Sequence, residues 1–324
     1  MLTPLTELTR DAMRGRLTRE NLHGVWAAIT TPFDARERFD EEIFRENVRR
    51  LHAAGVHGIY TTDSDGEFYA IELDEFRQIV DVFADETRRI GAAAMVGVTW
   101  CNTQGIVDRL RHAVDRGILG AHVGHPFFMP STPDSYRAFW QDVSAAVPDE
   151  FGLVHYNNPN CHNYQLGPHY KLLQRDVPKL IGTKHVGVDF PEFMTLMDDA
   201  PEISHLVGEG VMMPYMLFGA RGINSWFTGY NPRFILELYD NLVQGRWELA
   251  RQQQERLHAF IRAKDILREA GNRNGIVNKA LADASSFLVS APTTRRPYLP
   301  ASREAVNQFQ RIAEEQFPDL LWQG

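Results

Sequence analysis

Short apolar runs alternate with helical patterns along most of this chain, and this alternation constrains the fold more than any other feature. Each run has the length of a buried strand, and apolar residues at helical spacing separate most of the runs. The eight runs are 25–30, 57–61, 94–98, 120–123, 152–156, 180–187, 204–207 and 222–225. Eight successive βα units predict an α/β fold, a closed (β/α)8 TIM barrel, which typically takes about 250 residues. The alternative, a doubly wound open sheet, is disfavoured because no glycine-rich dinucleotide turn follows an early strand.

Residues typical of helix starts, and apolar residues at helical spacing, predict where helices lie and where the barrel ends. Asp40 is expected to cap the first barrel helix, and Thr132 with Pro133 forms a cap and first-turn proline for a later one. From about Trp247 onward the strand pattern stops and apolar residues recur at helical spacing. We therefore expect a polar N-terminal extension over 1–21, the barrel over 22–246 and a C-terminal helical extension over 247–324.

The charge balance limits what the chain is expected to bind. A net charge of −8 argues against a general partner of nucleic acid or of an anionic membrane, but not against an anionic small molecule. Cys101 and Cys161 provide no disulfide framework. No apolar run approaches the length of a membrane span, and the charged first twenty residues do not resemble a signal peptide. A soluble, cytoplasmic protein is expected.

One predicted strand ends in a lysine, Lys184, at the barrel edge where active sites gather. Only five of the 34 basic residues are lysines. A buried ammonium is costly unless it is paired or gives up its proton, and arginine cannot become a neutral amine nucleophile. We therefore predict that Lys184 forms a Schiff base with a carbonyl substrate. The alternative is a lysine whose ammonium reaches solvent beyond the strand.

Further candidates follow other predicted strands. Tyr156 ends the strand before that of Lys184, where a phenol can move protons as a Schiff base forms and breaks. The polar turn 62–67 offers backbone amides and the Ser64 hydroxyl to a carboxylate. The histidines lack metal-ligand spacing, so no metal is expected. The glycines of 208–222 near Arg221 leave a phosphosugar barrel as an alternative.

Several segments resemble motifs of the dihydrodipicolinate synthase and N-acetylneuraminate lyase family. In chain order they are Thr30-Thr31-Pro32-Phe33, Asp63-Ser64-Asp65-Gly66-Glu67, Tyr156-Asn157-Asn158-Pro159, Gly182-Thr183-Lys184, Gly219-Ala220-Arg221-Gly222 and Arg296-Pro297-Tyr298-Leu299-Pro300. The resemblance implies a class I, Schiff-base pyruvate aldolase without a cofactor, on a barrel with a helical C-terminal region, as a homo-oligomer (dimer or tetramer). It implies that Lys184 is the imine lysine and Tyr156 the proton shuttle. It also implies that Ser64, with the amides up to Gly66, holds the carboxylate of a 2-oxo acid.

The chain departs from this family's pattern at three places. Asp65 replaces a hydroxyl residue, and its carboxylate would repel a substrate carboxylate unless it turns away or binds a hydroxyl or an amine. Phe127 and Phe128 stand where the biosynthetic synthase has a tyrosine pair, and Cys161 stands where it has an arginine. These departures argue against 4-hydroxy-tetrahydrodipicolinate synthase activity, which stays open as an alternative.

The predicted function is a Schiff-base-forming lyase, an aldolase or dehydratase, acting on pyruvate or another 2-oxo acid. Residues 17–26 resemble the start of the benzylidenepyruvate hydratase-aldolases. The expected pocket for the second half of the substrate has aromatics and no guanidinium, which favours an aromatic aldehyde or a sugar acid. Its residues are expected to be Phe128, Cys161, His162, His185, Gly208, Glu209, Asn224 and Trp226. An alternative of another class is a catalytically silent barrel with a binding or regulatory role.

Overall fold

The computed structural model describes residues 13, 15–159, 164–271 and 273–324, with the backbone alone at 269–271. Its eight parallel strands close into a barrel, in which each strand pairs with the next and the last pairs with the first. The strands are β1 (Gly24–Ala28), β2 (Gly58–Thr61), β3 (Ala93–Gly97), β4 (Gly120–Val123), β5 (Gly152–Asn157), β6 (Leu180–His185), β7 (Ser204–Val207) and β8 (Gly222–Ser225). The predicted TIM barrel is confirmed.

Helices follow the strands around the barrel. They are α1 (Glu41–Ala53), α2 (Leu73–Ile90), α3 (Thr103–Asp115), α4 (Pro133–Ala145), α5 (Gly167–Asp176), α6 (Phe190–Asp199), α7 (Met212–Leu217) and α8 (Pro232–Val243). The C-terminal region adds α9 (Trp247–Ala263), a 3-10 segment (Lys264–Gly271), α10 (Asn274–Ser285) and α11 (Arg303–Gln316). The predicted C-terminal helices are therefore present.

Two of the predicted helix starts have the expected chemistry. The Asp40 side chain accepts a hydrogen bond from the amide of Ile43, and Thr132 forms a capping box with Ser135 ahead of Pro133. These contacts satisfy amides that a helix leaves unbonded in its first turn.

Alternation along the strands separates two layers of core. In β1, Val25 and Ala27 pack outward against the helices, whereas Trp26 and Ala28 fill the barrel interior. This period of two is the geometry of any strand with both faces covered. At the N-terminal end of the barrel, the interior layer includes Leu17 and other buried side chains that precede β1. The described residues before Leu22 therefore close this end of the barrel.

An irregularity between β5 and β6 reverses this alternation. Leu153 pairs with Leu180, but the next residue, Val154, pairs with Gly182, so Ile181 is an extra residue in β6. Such a bulge moves every later side chain of the strand to the other face. Beyond it, Thr183 points outward and hydrogen-bonds His205, and Lys184 points into the barrel. The bulge therefore places Lys184 inside.

The C-terminal region packs directly onto the turn that follows β2. A Cβ atom at Gly275 would lie 2.6 Å from the backbone oxygen of Asp65, so only a glycine allows this approach of α10. The ammonium of Lys279 lies 2.5 Å from a carboxylate oxygen of Glu67, and both side chains are buried. This ion pair joins α10 to the turn.

Candidate active site

A cavity of about 360 Å³ lies at the C-terminal ends of the strands. Its wall combines side chains from β2, β5, β6 and β8 with residues of the C-terminal region. Lys184, Tyr156 and Ser64 all face it, although they lie far apart in sequence. This is the end of the barrel where TIM-barrel active sites are built.

Lys184 is 4% exposed and is held between two aromatic rings and a carboxylate. Its Nζ lies 4.1 Å from the centre of the Tyr156 ring and 4.5 Å from that of Tyr60. It donates to Oδ2 of Asp63 at 2.9 Å. The side chain is therefore fixed inside the cavity, and the alternative of a lysine reaching solvent is wrong.

The carboxylate of Asp63 contacts two groups, the Lys184 ammonium and the His122 ring. The same Oδ2 that accepts from Lys184 lies 2.6 Å from Nδ1 of His122, and both Asp63 and His122 are buried. Space for Asp63 comes from β3, because a Cβ atom at Gly97 would lie 2.1 Å from Oδ1 of Asp63. Lys184, Asp63 and His122 thus form one buried chain of proton-carrying groups.

The contacts among Lys184, Asp63 and His122 determine the charge that each of them carries. Burial alone would lower the pKa of Lys184, but the Asp63 carboxylate, together with smaller effects of Tyr60, Tyr156 and Asp65, outweighs it and holds the pKa well above its usual value. Burial would raise the pKa of Asp63, yet Lys184 and His122 hold it below its usual value. Burial lowers the pKa of His122, so its ring is neutral and its Nδ1–H donates to Asp63. The resting amine is therefore a paired ammonium, which is one of the two states that the sequence left open for a buried lysine.

Tyr156 pairs directly with Lys184 in the β5–β6 register. Its hydroxyl is hydrogen-bonded to Ser64 at 2.8 Å and accepts from the side-chain amide of Asn158 at 3.0 Å. Burial raises the pKa of Tyr156, although the Lys184 charge opposes this, so the phenol keeps its proton at neutral pH. A protonated hydroxyl in contact with a second hydroxyl and beside an amine is suited to passing protons.

The turn after β2 has the shape of an anion site. Thr62 and Glu67 both have a φ of 56°, and a Cβ atom at Gly66 would lie 2.6 Å from the amide nitrogen of Thr62. Within the described residues, the amides of Ser64, Asp65 and Gly66 donate no hydrogen bond to the protein. Successive unbonded amides in a tight turn form a concave site for a carboxylate.

Asp65 lies on the cavity wall beside this turn. Its Oδ1 accepts from the side-chain amide of Asn278 on α10 at 2.5 Å. Burial raises the pKa of Asp65, and the charges of Lys184 and Lys264 oppose that rise. The carboxylate is thus bound by the C-terminal region, which reduces the repulsion that its replacement of a hydroxyl residue implied.

Five residues predicted for the second half of the substrate lie on the cavity wall: His185, Gly208, Glu209, Asn224 and Trp226. Burial raises the pKa of Glu209 to about 7, although the amide of Phe227 donates to its Oε1 at 2.9 Å. The side chain of Asn224 is 7% exposed, and neither its oxygen nor its nitrogen has a partner within the described part of the protein.

Other predictions for this pocket do not hold or lie outside the structure's description. Phe128 is 78% exposed and does not line the cavity, because the loop after β4 turns its ring to solvent. Cys161 and His162 lie outside the described residues. The expectation of a pocket without a guanidinium is wrong, since Arg268 lines the cavity together with Lys264. Both come from the C-terminal region, where no site residue was predicted.

Asp63 and His122 are also additions to the predicted site. Their signal in the sequence is weak: an acid at the polar turn after a predicted strand, and a histidine on the short predicted strand 120–123. No group of three or more histidines, cysteines, aspartates or glutamates is arranged to hold a metal ion within residues 13, 15–159, 164–271 and 273–324. None of the described helices is long and apolar enough to span a membrane.

Comparison with known proteins gives a consistent family. The model of the dihydrodipicolinate synthetase family matches residues 21–316. An uncharacterized DapA-like lyase of Halobacterium salinarum is 28% identical over 240 residues, which are 73% of this chain and 77% of that protein. The trans-O-hydroxybenzylidenepyruvate hydratase-aldolase of Pseudomonas aeruginosa is 26% identical over 300 residues, 87% of this chain and 88% of that enzyme.

A solved structure shows the same fold. YagE from Escherichia coli K12, a prophage protein of the dihydrodipicolinic acid synthase family in complex with pyruvate, superposes with a TM-score of 0.83. The superposition covers 91% of this chain and 98% of that one, at 20% sequence identity. At this identity the likeness establishes the fold alone.

Proposed function

Because the chain belongs to the dihydrodipicolinate synthetase family of class I, lysine-dependent lyases, we propose that it forms an imine between Lys184 and the ketone of a 2-oxo acid such as pyruvate. The observation that carries this proposal is the position of the Lys184 amine. It is buried in the cavity, 2.9 Å from a carboxylate and against the ring of Tyr156. An amine so placed has both a proton acceptor and a proton donor within reach.

Imine formation needs a neutral amine, and the geometry provides one without bulk base. As the ketone approaches, a proton passes from Lys184 Nζ to the Asp63 carboxylate, and the free electron pair attacks C2. The hydroxyl of Tyr156 protonates the carbonyl oxygen twice, first to a hydroxyl and then to water, which leaves. After each transfer Tyr156 recovers a proton from the nitrogen, which lies against its ring, and Asp63 returns the proton it took to that nitrogen. Two of the three ammonium protons thus depart in the water, so no net proton is taken up or released.

The product of this step is an iminium whose positive charge faces Asp63. The Asp63 carboxylate therefore stabilises the iminium, which acts as the electron sink, just as it stabilised the ammonium. The substrate carboxylate occupies the turn of Ser64, where the free amides and the hydroxyl receive it. Electrons from the breaking carbon–carbon or carbon–oxygen bond flow into the iminium, and Tyr156 is placed to exchange protons with the departing group.

The second half of the substrate occupies the remainder of the cavity. A hydratase-aldolase among the relatives supports addition or loss of water together with aldol cleavage as the reaction type. We expect a homo-oligomer in the cytoplasm, and the physiological direction follows from the concentrations of substrate and product.

Reductive trapping tests the proposal. The protein is incubated with pyruvate and borohydride, and the adduct is located by peptide mass mapping. We expect a stable adduct in the wild type and none in Lys184→Ala. The matched control is Lys171→Ala, because Lys171 is an exposed lysine that does not line the cavity. Absence of an adduct with any 2-oxo acid would favour the catalytically silent barrel instead.

A further inference from the structure

Besides Lys184, the cavity contains a second buried cation, which has no ion-pair partner among the described residues. Lys264 is 5% exposed, and its Nζ lies 4.2 Å from the centre of the Trp226 ring. No carboxylate of the described residues forms an ion pair with it. Because burial of an ammonium is costly, and an aromatic face compensates only part of the cost, this site is incomplete without an anion.

The acids near Lys264 are already bound to neutral donors. Oε1 of Glu209 accepts from the Phe227 amide and, at 3.2 Å, from the Ser225 hydroxyl. Oδ1 of Asp65 accepts from Asn278. These contacts hold both carboxylates to the wall, and neither forms an ion pair with the Lys264 ammonium, which also lines the cavity.

A second, independent observation points to a ligand in the same cavity. Asn224 projects from β8 into the cavity with both of its polar side-chain atoms buried and unpartnered within the described residues. A buried amide left unsatisfied costs about 1–3 kcal/mol, and a ligand that hydrogen-bonds to it removes this cost. Arg268 also lines the cavity, where its guanidinium is partly exposed and paired with Asp265 at 3.2 Å. One unpartnered amide and two cations of the C-terminal region therefore line the same cavity.

We infer that this region binds a carboxylate at the far end of the substrate, so that the enzyme acts on 2-oxo acids with a second, terminal carboxylate. The first carboxylate lies in the Ser64 turn, the ketone lies at Lys184, and the second carboxylate pairs with Lys264. Asn224 donates its N–H groups to the same end. This inference rests on the proposed function, since it assumes that Lys184 captures the ketone.

The test compares probes that differ only in that terminal group. 2-Oxoglutarate, 2-oxoadipate and 2-oxopimelate are each set against the monocarboxylic 2-oxo acid of the same carbon number, with reductive trapping at Lys184 as the readout. For at least one chain length, the dicarboxylate is expected to reach half-maximal trapping at about a tenfold lower concentration, as one charge-assisted hydrogen bond provides. Equal concentrations at all three lengths would overturn the inference.

Variants show which residues cause the preference for a dicarboxylate. Lys264→Met keeps the packing on Trp226 and is expected to abolish the preference, measured within the variant as the ratio of the half-maximal concentrations for the dicarboxylate and the monocarboxylate. Arg268→Met, at a partly exposed site that does not threaten folding, is expected to reduce it. Lys171→Met is the matched control and is expected to change nothing. A preference that survives in Lys264→Met contradicts the inference, and a wild type that traps no pyruvate contradicts the proposed function instead.

Discussion

Replacement of Asp63 by asparagine tests how the charge at Lys184 is controlled. Asparagine keeps the shape of aspartate and can still accept from His122, but it removes the negative charge 2.9 Å from Nζ. At an effective dielectric constant of about 20, that charge pair is worth about 6 kcal/mol. Each 1.36 kcal/mol corresponds to a factor of ten in proton affinity. Burial, the largest effect on this amine, is then opposed only by the smaller effects of Tyr60, Tyr156 and Asp65. We therefore expect the pKa of Lys184 to fall below its ordinary value, as burial already lowers the pKa of Lys264.

The pH dependence of iminium formation follows from this change. In the wild type both the resting amine and the iminium are cations, so iminium formation takes up no proton and its extent is independent of pH. In Asp63→Asn the resting amine is neutral, so each iminium requires one proton from solution. The amount of iminium at a fixed, low pyruvate concentration is therefore expected to fall tenfold for each pH unit above the pKa of the variant's amine.

Cyanoborohydride, which reduces iminium ions selectively, provides the assay. Initial rates of adduct formation at subsaturating pyruvate are measured by intact-protein mass spectrometry between pH 6 and 9. Burial raises the pKa of Glu209 to about 7, and Glu209 is present in both proteins, so the ratio of variant to wild type isolates the effect of Asp63. We expect that ratio to fall by as much as a hundredfold between pH 7 and pH 9. A ratio that stays constant with pH would refute the assignment of Asp63.

Three further predictions concern other groups. Tyr156→Phe removes the hydroxyl that bonds Ser64, and is expected to slow adduct formation by about 10²–10⁴ with an unchanged melting temperature; an unchanged rate removes Tyr156 from the mechanism. Because the pKa of Glu209 is raised from 4.5 to about 7 in the folded protein, its bound proton stabilises the fold at low pH, and this is lost as pH rises to 7. Urea unfolding of the wild type should therefore lose about 3 kcal/mol between pH 4.5 and 7 that Glu209→Gln does not lose; parallel curves contradict this. Lys279→Met leaves the Glu67 carboxylate buried without its partner and is expected to cost about 3–5 kcal/mol in urea unfolding, whereas a loss below 1 kcal/mol contradicts the importance of that pair.

The sequence predicts the barrel well because hydrophobic periodicity is a local property. The runs 120–123, 204–207 and 222–225 coincide with β4, β7 and β8, and Asp40 and Thr132 cap the helices they were expected to cap. Simple alternation would place Lys184 on the outer face of β6. The bulge at Ile181 reverses this, and it results from pairing with β5, which the local pattern of β6 does not specify.

The site itself is less predictable, because its parts meet only in three dimensions. Asp63 joins Lys184 across 121 residues of sequence, and Gly97 makes room for it from a third element. Lys264 reaches the cavity from the C-terminal region, whose helical pattern carries no sign of function. Phe128 is the opposite case. Its position in a related motif suggested that it lines the cavity, but the loop after β4 leaves its ring exposed to solvent.

The assignment of the imine to Lys184 is tested most directly by locating the pyruvate adduct after borohydride reduction. Two buried lysines face the cavity, and the lowered pKa of Lys264 makes it the better nucleophile by charge alone. Our account instead depends on position, with Lys184 beside Asp63, Tyr156 and the Ser64 turn. Peptide mapping should place the adduct on Lys184, and Lys264→Met should not reduce it. An adduct on Lys264 that persists in Lys184→Ala would contradict the account.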